Sequence, residues 1–214
     1  MVTGGREAQG DLTQFLQAIL AAGVDIIQLR EKDAEAGDLL HWAEVFRRAA
    51  ERHDALFVVN DRPDVALACG ADGVHVGQDD MAVEDARRLL GRGAILGLSI
   101  KTVAEAEAAP LELLDYVGIG GIFETSSKHN PDPPIGPDGL ARIAASLRRR
   151  AARFPLCAIA GIDASNAAAA IAAGADGVAV ISALSLARDP QAAAQALRGA
   201  VDEALARREG RGRR

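Results

Sequence analysis

The sequence predicts a single (β/α)8 barrel, and three observations lead to it. Helix-period segments alternate with short apolar runs along the whole chain. A helix-to-strand junction is spelled almost identically at 69–76 (C-G-A-D-G-V-H-V) and 173–180 (A-G-A-D-G-V-A-V), with a looser copy, A-G-V-D-I-I-Q-L, at 22–29. Polar residues collect immediately after the apolar runs, which is where a barrel carries its chemistry. At 214 residues the chain is near the lower size limit of that fold.

Taken in order, the elements begin with residues 1–3, which can form only a very short first strand. The spacing then predicts helices over 12–22, 35–52, 63–69, 82–91, 102–109, 137–151, 164–173 and 188–208. Between them lie apolar runs at 25–29, 56–59, 73–76, 94–98, 116–119, 156–159 and 177–181, each short and continuous, as expected of parallel strands buried on both faces. Each repeated junction supplies a glycine suited to end a helix, followed by β-branched residues that start a strand. No fixed period joins the copies, so a solenoid is disfavoured. A doubly wound open sheet is the alternative that alternation alone leaves open. Residues 122–138, with four prolines and no apolar periodicity, form the one long loop, which reads as a lid or binding loop. The domain is taken as 1–208, with 209–214 a basic, frayed tail.

Composition narrows the function. Hydrophobic residues make up 49% and charged residues 25%, an ordinary globular balance. A net charge of -6 and only 3% aromatic residues argue against nucleic acid, which asks for a basic face and stacking platforms. No run is apolar and long enough for a membrane span, and residues 1–11 lack the apolar segment of a signal peptide. Cys69 and Cys157 stand far apart with no metal-ligand spacing, so a reducing, cytoplasmic setting is expected. The oligomeric state stays open, a homo-oligomer included.

Basic residues comprise 21 Arg and only three Lys, at 32, 101 and 128, and all three follow strands. Around them stand Gln28, Arg30, Asn60, Asp61, Asp80, Ser99 and the run Thr125-Ser126-Ser127. Arg30, Lys32 and Lys128 suit phosphate oxygens. Asp61 and Asp80, on neighbouring strand ends, could hold Mg²⁺, which favours one or two carboxylates completed by phosphate and water. The competing reading is a ring of structural ion pairs. A second anion site is suggested by I-A-G-I at 159–162 and V-I-S-A at 180–183, where Gly161 permits close backbone approach and a short helix after Ile181 adds its dipole. Two anion sites imply two phosphorylated small-molecule substrates. His75, inside a strand, reads as a satisfied barrel residue; His129, in the long loop, has no nameable partner; His41, His53, Trp42 and Cys157 read as surface or packing residues.

The motifs Q-L-R-E-K-D (28–33), V-N-D-R (59–62), G-V-H-V-G-Q-D-D (73–80), G-L-S (97–99) and T-S-S-K (125–128), with I-A-G-I and V-I-S-A, resemble the thiamine-phosphate synthase family over about residues 21–185. The resemblance implies a barrel transferase that joins 4-amino-5-hydroxymethyl-2-methylpyrimidine diphosphate to 4-methyl-5-(2-phosphoethyl)thiazole and releases diphosphate. It implies that Gln28, Leu29, Arg30, Glu31, Lys32 and Asn60 meet the pyrimidine diphosphate, and that Asp61 and Asp80 bind Mg²⁺. Ser99 would lie near the leaving diphosphate, Lys128 would hold it from the long loop, and Arg30 would join these two in catalysis. Thr125, Ser126, Ser127, Gly161, Ile181 and Ser182 would receive the thiazole phosphate. The chain departs from the family pattern in having T-S-S-K for Thr-x-Thr-Lys, Ala160-Gly161 for a Gly-Gly pair, and a first strand that is nearly absent. The related thiazole tautomerases use a His where this chain has Gly121. A non-catalytic phosphate-sensing relative would be expected to have lost a metal carboxylate or a diphosphate cation, and the chain keeps all of them.

Overall fold

The computed structural model describes residues 1–3, 10–125 and 133–212. Its order is α1 (Leu12–Ala21), β1 (Ile26–Leu29), α2 (Ala36–Arg52), β2 (Leu56–Asn60), α3 (Pro63–Cys69), β3 (Gly73–Val76), α4 (Val83–Leu90), β4 (Ile95–Ile100), α5 (Val103–Ala108), β5 (Tyr116–Ile119), α6 (Gly136–Arg150), β6 (Leu156–Ile159), α7 (Ala167–Ala172), β7 (Gly177–Ala179), α8 (Ser182–Ser185) and α9 (Pro190–Gly212). The seven strands are all parallel and pair in chain order, β1 to β7, without reversal. A doubly wound sheet needs a point where the order turns back, so that alternative is excluded.

Residues 1–3 form the remnant of an eighth strand and close the curl. The Val2 amide donates to the Val180 carbonyl at 3.0 Å on one side. On the other, Gln28 donates to Met1 at 2.8 Å and Thr3 donates to Gln28 at 2.9 Å, giving a single parallel bridge between Val2 and Gln28. Three residues therefore bridge the two edges that would otherwise stand open.

Two of the repeated junctions share a physical basis with the entry to β5, while Asp25 of the looser copy pairs with Arg198 instead. Asp72, just ahead of β3, accepts from the Phe57 amide at 2.7 Å; Asp115, ahead of β5, accepts from Leu96 at 2.8 Å; Asp176, ahead of β7, accepts from Leu156 at 3.0 Å. Each carboxylate accepts from the first or second amide of the strand before its own, at the N-terminal face of the barrel. Arg87 pairs with Asp115 from α4, and Arg148 and Arg208 converge on Asp176 from α6 and α9. The aspartate of the A-D-G-V repeat is thus a structural clamp.

The core lies between strands and helices, where Phe46 of α2 meets Phe57 of β2 with ring centroids 5.4 Å apart. One expectation is corrected. β6 and β7 are only partly buried, because Cys157, Gly177 and Ala179 are too small to fill the barrel beside them. Helix α9 continues through residues 209–212 of the expected tail, and residues 213–214 lie outside the described residues. No helix among the described residues is long and apolar enough to cross a membrane.

Candidate active site

A cavity of about 530 Å³ opens among the C-terminal ends of the strands and continues past Cys157 and Val178 toward Asp25 and Asp176. Its upper wall holds Gln28, Arg30, Asn60, Ser99, Lys101, Thr125, Gly161, Ile181 and Ser182. Strand alternation decides who faces it. Gln28 of β1 points inward, so the next residue, Leu29, lies 1% exposed in the core behind the sheet. The Leu29 side chain therefore does not line the cavity. Glu31 also falls outside the cavity lining. Arg30 is anchored through its amide, which donates to Thr3 Oγ1 at 3.2 Å, and its guanidinium has no ion-pair partner among the described residues.

Lys32, Asp61 and Asp80 gather on the rim beside the cavity. Lys32 Nζ lies 2.9 Å from Asp61 Oδ2, and Asp80 Oδ2 accepts from the Gly77 amide at 2.7 Å. Asp61 sits at φ +62°, a left-handed position that Asp tolerates better than most residues, and its amide donates to the His75 carbonyl at 2.8 Å. Burial pushes the Asp61 carboxyl above the usual aspartate range, the adjacent Asp80 pushes it further, and Lys32 opposes both. Two crowded carboxylates that resist joint ionisation are an arrangement that a divalent cation relieves. The donors are hard oxygens and number two, which fits Mg²⁺ completed by phosphate and water. No cluster of three or more metal-ligating side chains occurs among the described residues.

Across the cavity, Ala160 and Gly161 turn the chain after β6, with φ of +93° and +63°. At Gly161 a Cβ would lie 2.3 Å from the Glu124 carbonyl oxygen, so the glycine seats the segment after β5 as well as leaving room in the cavity. Ala160 occupies a conformation for which glycine is suited, a direct consequence of the missing second glycine. The expected short helix after Ile181 is α8, four residues long. One turn carries little dipole, so what it offers an anion is first-turn amides.

Ser126, Ser127, Lys128 and His129 lie outside the described residues, as does the centre of the long loop. Its base is fixed, with Ile135 donating to Gly121 at 2.8 Å and Gly136 to Ile122 at 3.1 Å. Gly121, where a tautomerase would carry its His, has φ +72°, a left-handed conformation that glycine adopts without a Cβ penalty.

Sequence reasoning passed over one feature of the wall. His75 Nδ1 lies 2.9 Å from Tyr116 Oη, and His75 Nε2 lies 2.8 Å from Ser99 Oγ. The signal was present as Gly97 and Gly118, glycines inside strands, which mark close approach. A Cβ at Gly97 would lie 2.2 Å from Tyr116 Cζ and 2.6 Å from His75 Nδ1; at Gly118 it would lie 3.1 Å from His75 Cε1.

Comparisons with known proteins bear on the family and the fold. A family model described as thiamine monophosphate synthase matches residues 1–184. The chain is 46% identical over 184 residues to a thiamine-phosphate synthase of Chlorobium limicola, covering 86% of this chain and 85% of the relative. It is 46% identical over 202 residues to one from Agrobacterium fabrum, covering 93% and 92%. Among solved structures it is similar to a thiamine phosphate pyrophosphorylase from Pyrococcus furiosus, with a TM-score of 0.82, 35% identity and 95% of each chain covered. An orotidine 5'-phosphate decarboxylase from Pyrococcus horikoshii, at 16% identity and TM-score 0.68, shares the fold.

Proposed function

Since the chain belongs to the thiamine monophosphate synthase family, we propose that its rim residues divide between a diphosphate half-site and a phosphate half-site and so couple two phosphorylated substrates. The reaction joins 4-amino-5-hydroxymethyl-2-methylpyrimidine diphosphate to 4-methyl-5-(2-phosphoethyl)thiazole, giving thiamine phosphate and diphosphate. The observation that carries the reading is the meeting of Lys32, Asp61 and Asp80 beside a cavity walled by Gln28, Arg30, Asn60 and Ser99.

The C–O bond between the pyrimidine methylene and diphosphate breaks first, and the electron-rich aminopyrimidine carries the resulting positive charge. A C–N bond to the thiazole nitrogen then forms. Catalysis on this route consists of holding the leaving group and placing the nucleophile. Arg30, Lys32 and Lys128 receive the departing diphosphate, and Ser99 donates to it. Gln28 and Asn60 orient the pyrimidine. Thr125, Ser126, Ser127, Gly161, Ile181 and Ser182 hold the thiazole phosphate. Asp61 and Asp80 would hold Mg²⁺, whose contribution when bound is to neutralise charge building on the diphosphate. The acidic net charge and scarce aromatics support a small-molecule enzyme with no nucleic-acid partner. A cytoplasmic setting fits widely separated free cysteines, and assembly into a homo-oligomer is compatible with the reading.

Purified protein mixed with both substrates and Mg²⁺ is expected to release thiamine phosphate and diphosphate in equal amounts. Absence of product with every divalent metal tried would overturn the proposal.

A further inference from the structure

His75 stands on β3, and its ring reaches over Gly97 of β4 to touch Tyr116 on β5 and Ser99 on β4. The imidazole and phenol rings lie 5.4 Å apart at 31°. Space for both exists because Gly97 and Gly118 carry no side chain, so three adjacent strands contribute to one built arrangement. All three polar groups also line the cavity.

The hydrogen bonds have a direction that chemistry can assign. Among the described residues, Tyr116 Oη has His75 Nδ1 as its hydrogen-bond partner. Burial raises the phenol far above its ordinary range, so it keeps its proton and needs an acceptor for it. Donation from Tyr116 to Nδ1 leaves the ring proton on Nε2. That N–H then donates to Ser99 Oγ, 2.8 Å away. A serine oxygen engaged as acceptor on one side is left to point its own proton elsewhere, and the open side of Ser99 is the cavity.

We propose that His75 is a positioning residue, held by Tyr116 as the Nε2–H tautomer, which donates to Ser99 and thereby aims the serine hydroxyl at an anionic oxygen of the substrate. The inference rests on the functional reading above for the identity of that oxygen, the leaving diphosphate. The relay carries no net charge and moves no proton during turnover; it sets the orientation of one donor before substrate arrives.

Two measurements test it. In substrate-free protein labelled with ¹⁵N-histidine, the resonance lost in His75→Gln is expected to show an unprotonated Nδ1 and a protonated Nε2, and Tyr116→Phe is expected to erase that preference. A protonated Nδ1 would overturn the proposal whether or not the protein makes thiamine phosphate. The second measurement is a double-mutant cycle in the coupling assay. Tyr116→Phe keeps the ring and its packing, and should lower kcat about 5–10-fold, the size of one net hydrogen bond, with little change in KM for the thiazole phosphate. In a Ser99→Ala background the same change should cost nothing further, because its effect passes through Ser99. Equal losses in both backgrounds would mean that Tyr116 and His75 serve packing alone and would overturn the relay. Wild-type protein that forms no product would overturn the functional reading, with the ¹⁵N result still deciding the tautomer.

Discussion

Asp61 and Asp80 are the residues at which activity and stability should part company. Asp61→Asn or Asp80→Asn is expected to lower kcat by about 10²-fold or more, since each removes a carboxylate that would hold the Mg²⁺ neutralising the departing diphosphate. Stability in chelator should hold or rise, because the two carboxylates crowd each other. The pH dependence has a definite sign. A carboxyl held above its usual range keeps its proton longer in the native state than in the unfolded chain, so the native state binds more protons in the window just above the ordinary aspartate range. Stability of the metal-free protein should therefore fall as pH rises through that window, and Asp61→Asn should flatten the fall; urea unfolding across pH measures it. Normal turnover in both variants would reduce the pair to a structural role. A second residue-scale effect belongs to Ala160, whose φ of +93° suits glycine. Ala160→Gly should stabilise the fold by about 1 kcal/mol by relieving that strain, read as a rise in Tm.

At the scale of elements, the three-residue seam between β1 and β7 links closure to the site. Thr3 is fully buried; its hydroxyl donates to the Gln28 carbonyl at 3.2 Å and accepts from the Arg30 amide at 3.2 Å. Thr3→Val preserves the shape and removes both bonds, leaving the partly buried Arg30 amide without its acceptor. A loss of about 1–3 kcal/mol is expected on unfolding. KM for the pyrimidine diphosphate should rise as well, because the Arg30 backbone loses its anchor; unchanged KM would show that the seam is structural only. β6 and β7 present small side chains such as Cys157, Gly177 and Ala179 to the interior, which leaves the strands partly exposed and the cavity open beside them.

Over the whole molecule, the two ends of the barrel do different work. The N-terminal face is held by Asp72, Asp115 and Asp176, each bonded to a neighbouring strand amide, and Asp176 also ties α6 and α9 together through Arg148 and Arg208. The C-terminal face carries the rim cations, carboxylates and hydroxyls. Asp176→Asn should accordingly cost about 1–3 kcal/mol of stability, seen by urea unfolding, while kcat of the folded fraction stays near the wild-type value. A large drop in kcat at full folding would show coupling between the faces that the fold does not suggest.

Much of this was legible in the chain itself. Alternating periodicity placed β3, β5 and β6 at their observed bounds, and strand ends marked Gln28, Asn60, Asp61, Asp80 and Ser99 as rim residues, because both signals are local. Whether the sheet curls shut was not local: it depended on Val2 finding partners in both Gln28 and Val180, residues separated by most of the sequence. The burial of the Leu29 side chain behind the sheet followed from strand alternation once register was known. The repeated aspartate looked like part of a motif, and only the pairing of strands showed that it caps a neighbour's amide. His75 was the clearest case. Composition and spacing made it an ordinary barrel residue, and its relation to Ser99 and Tyr116 arises because two glycines on adjacent strands let one ring cross the sheet. Sequence determines which side chains reach the rim, since that is set by local period and strand ends. Tertiary structure alone decides which of them touch, since that is set by register and by the space neighbouring strands leave.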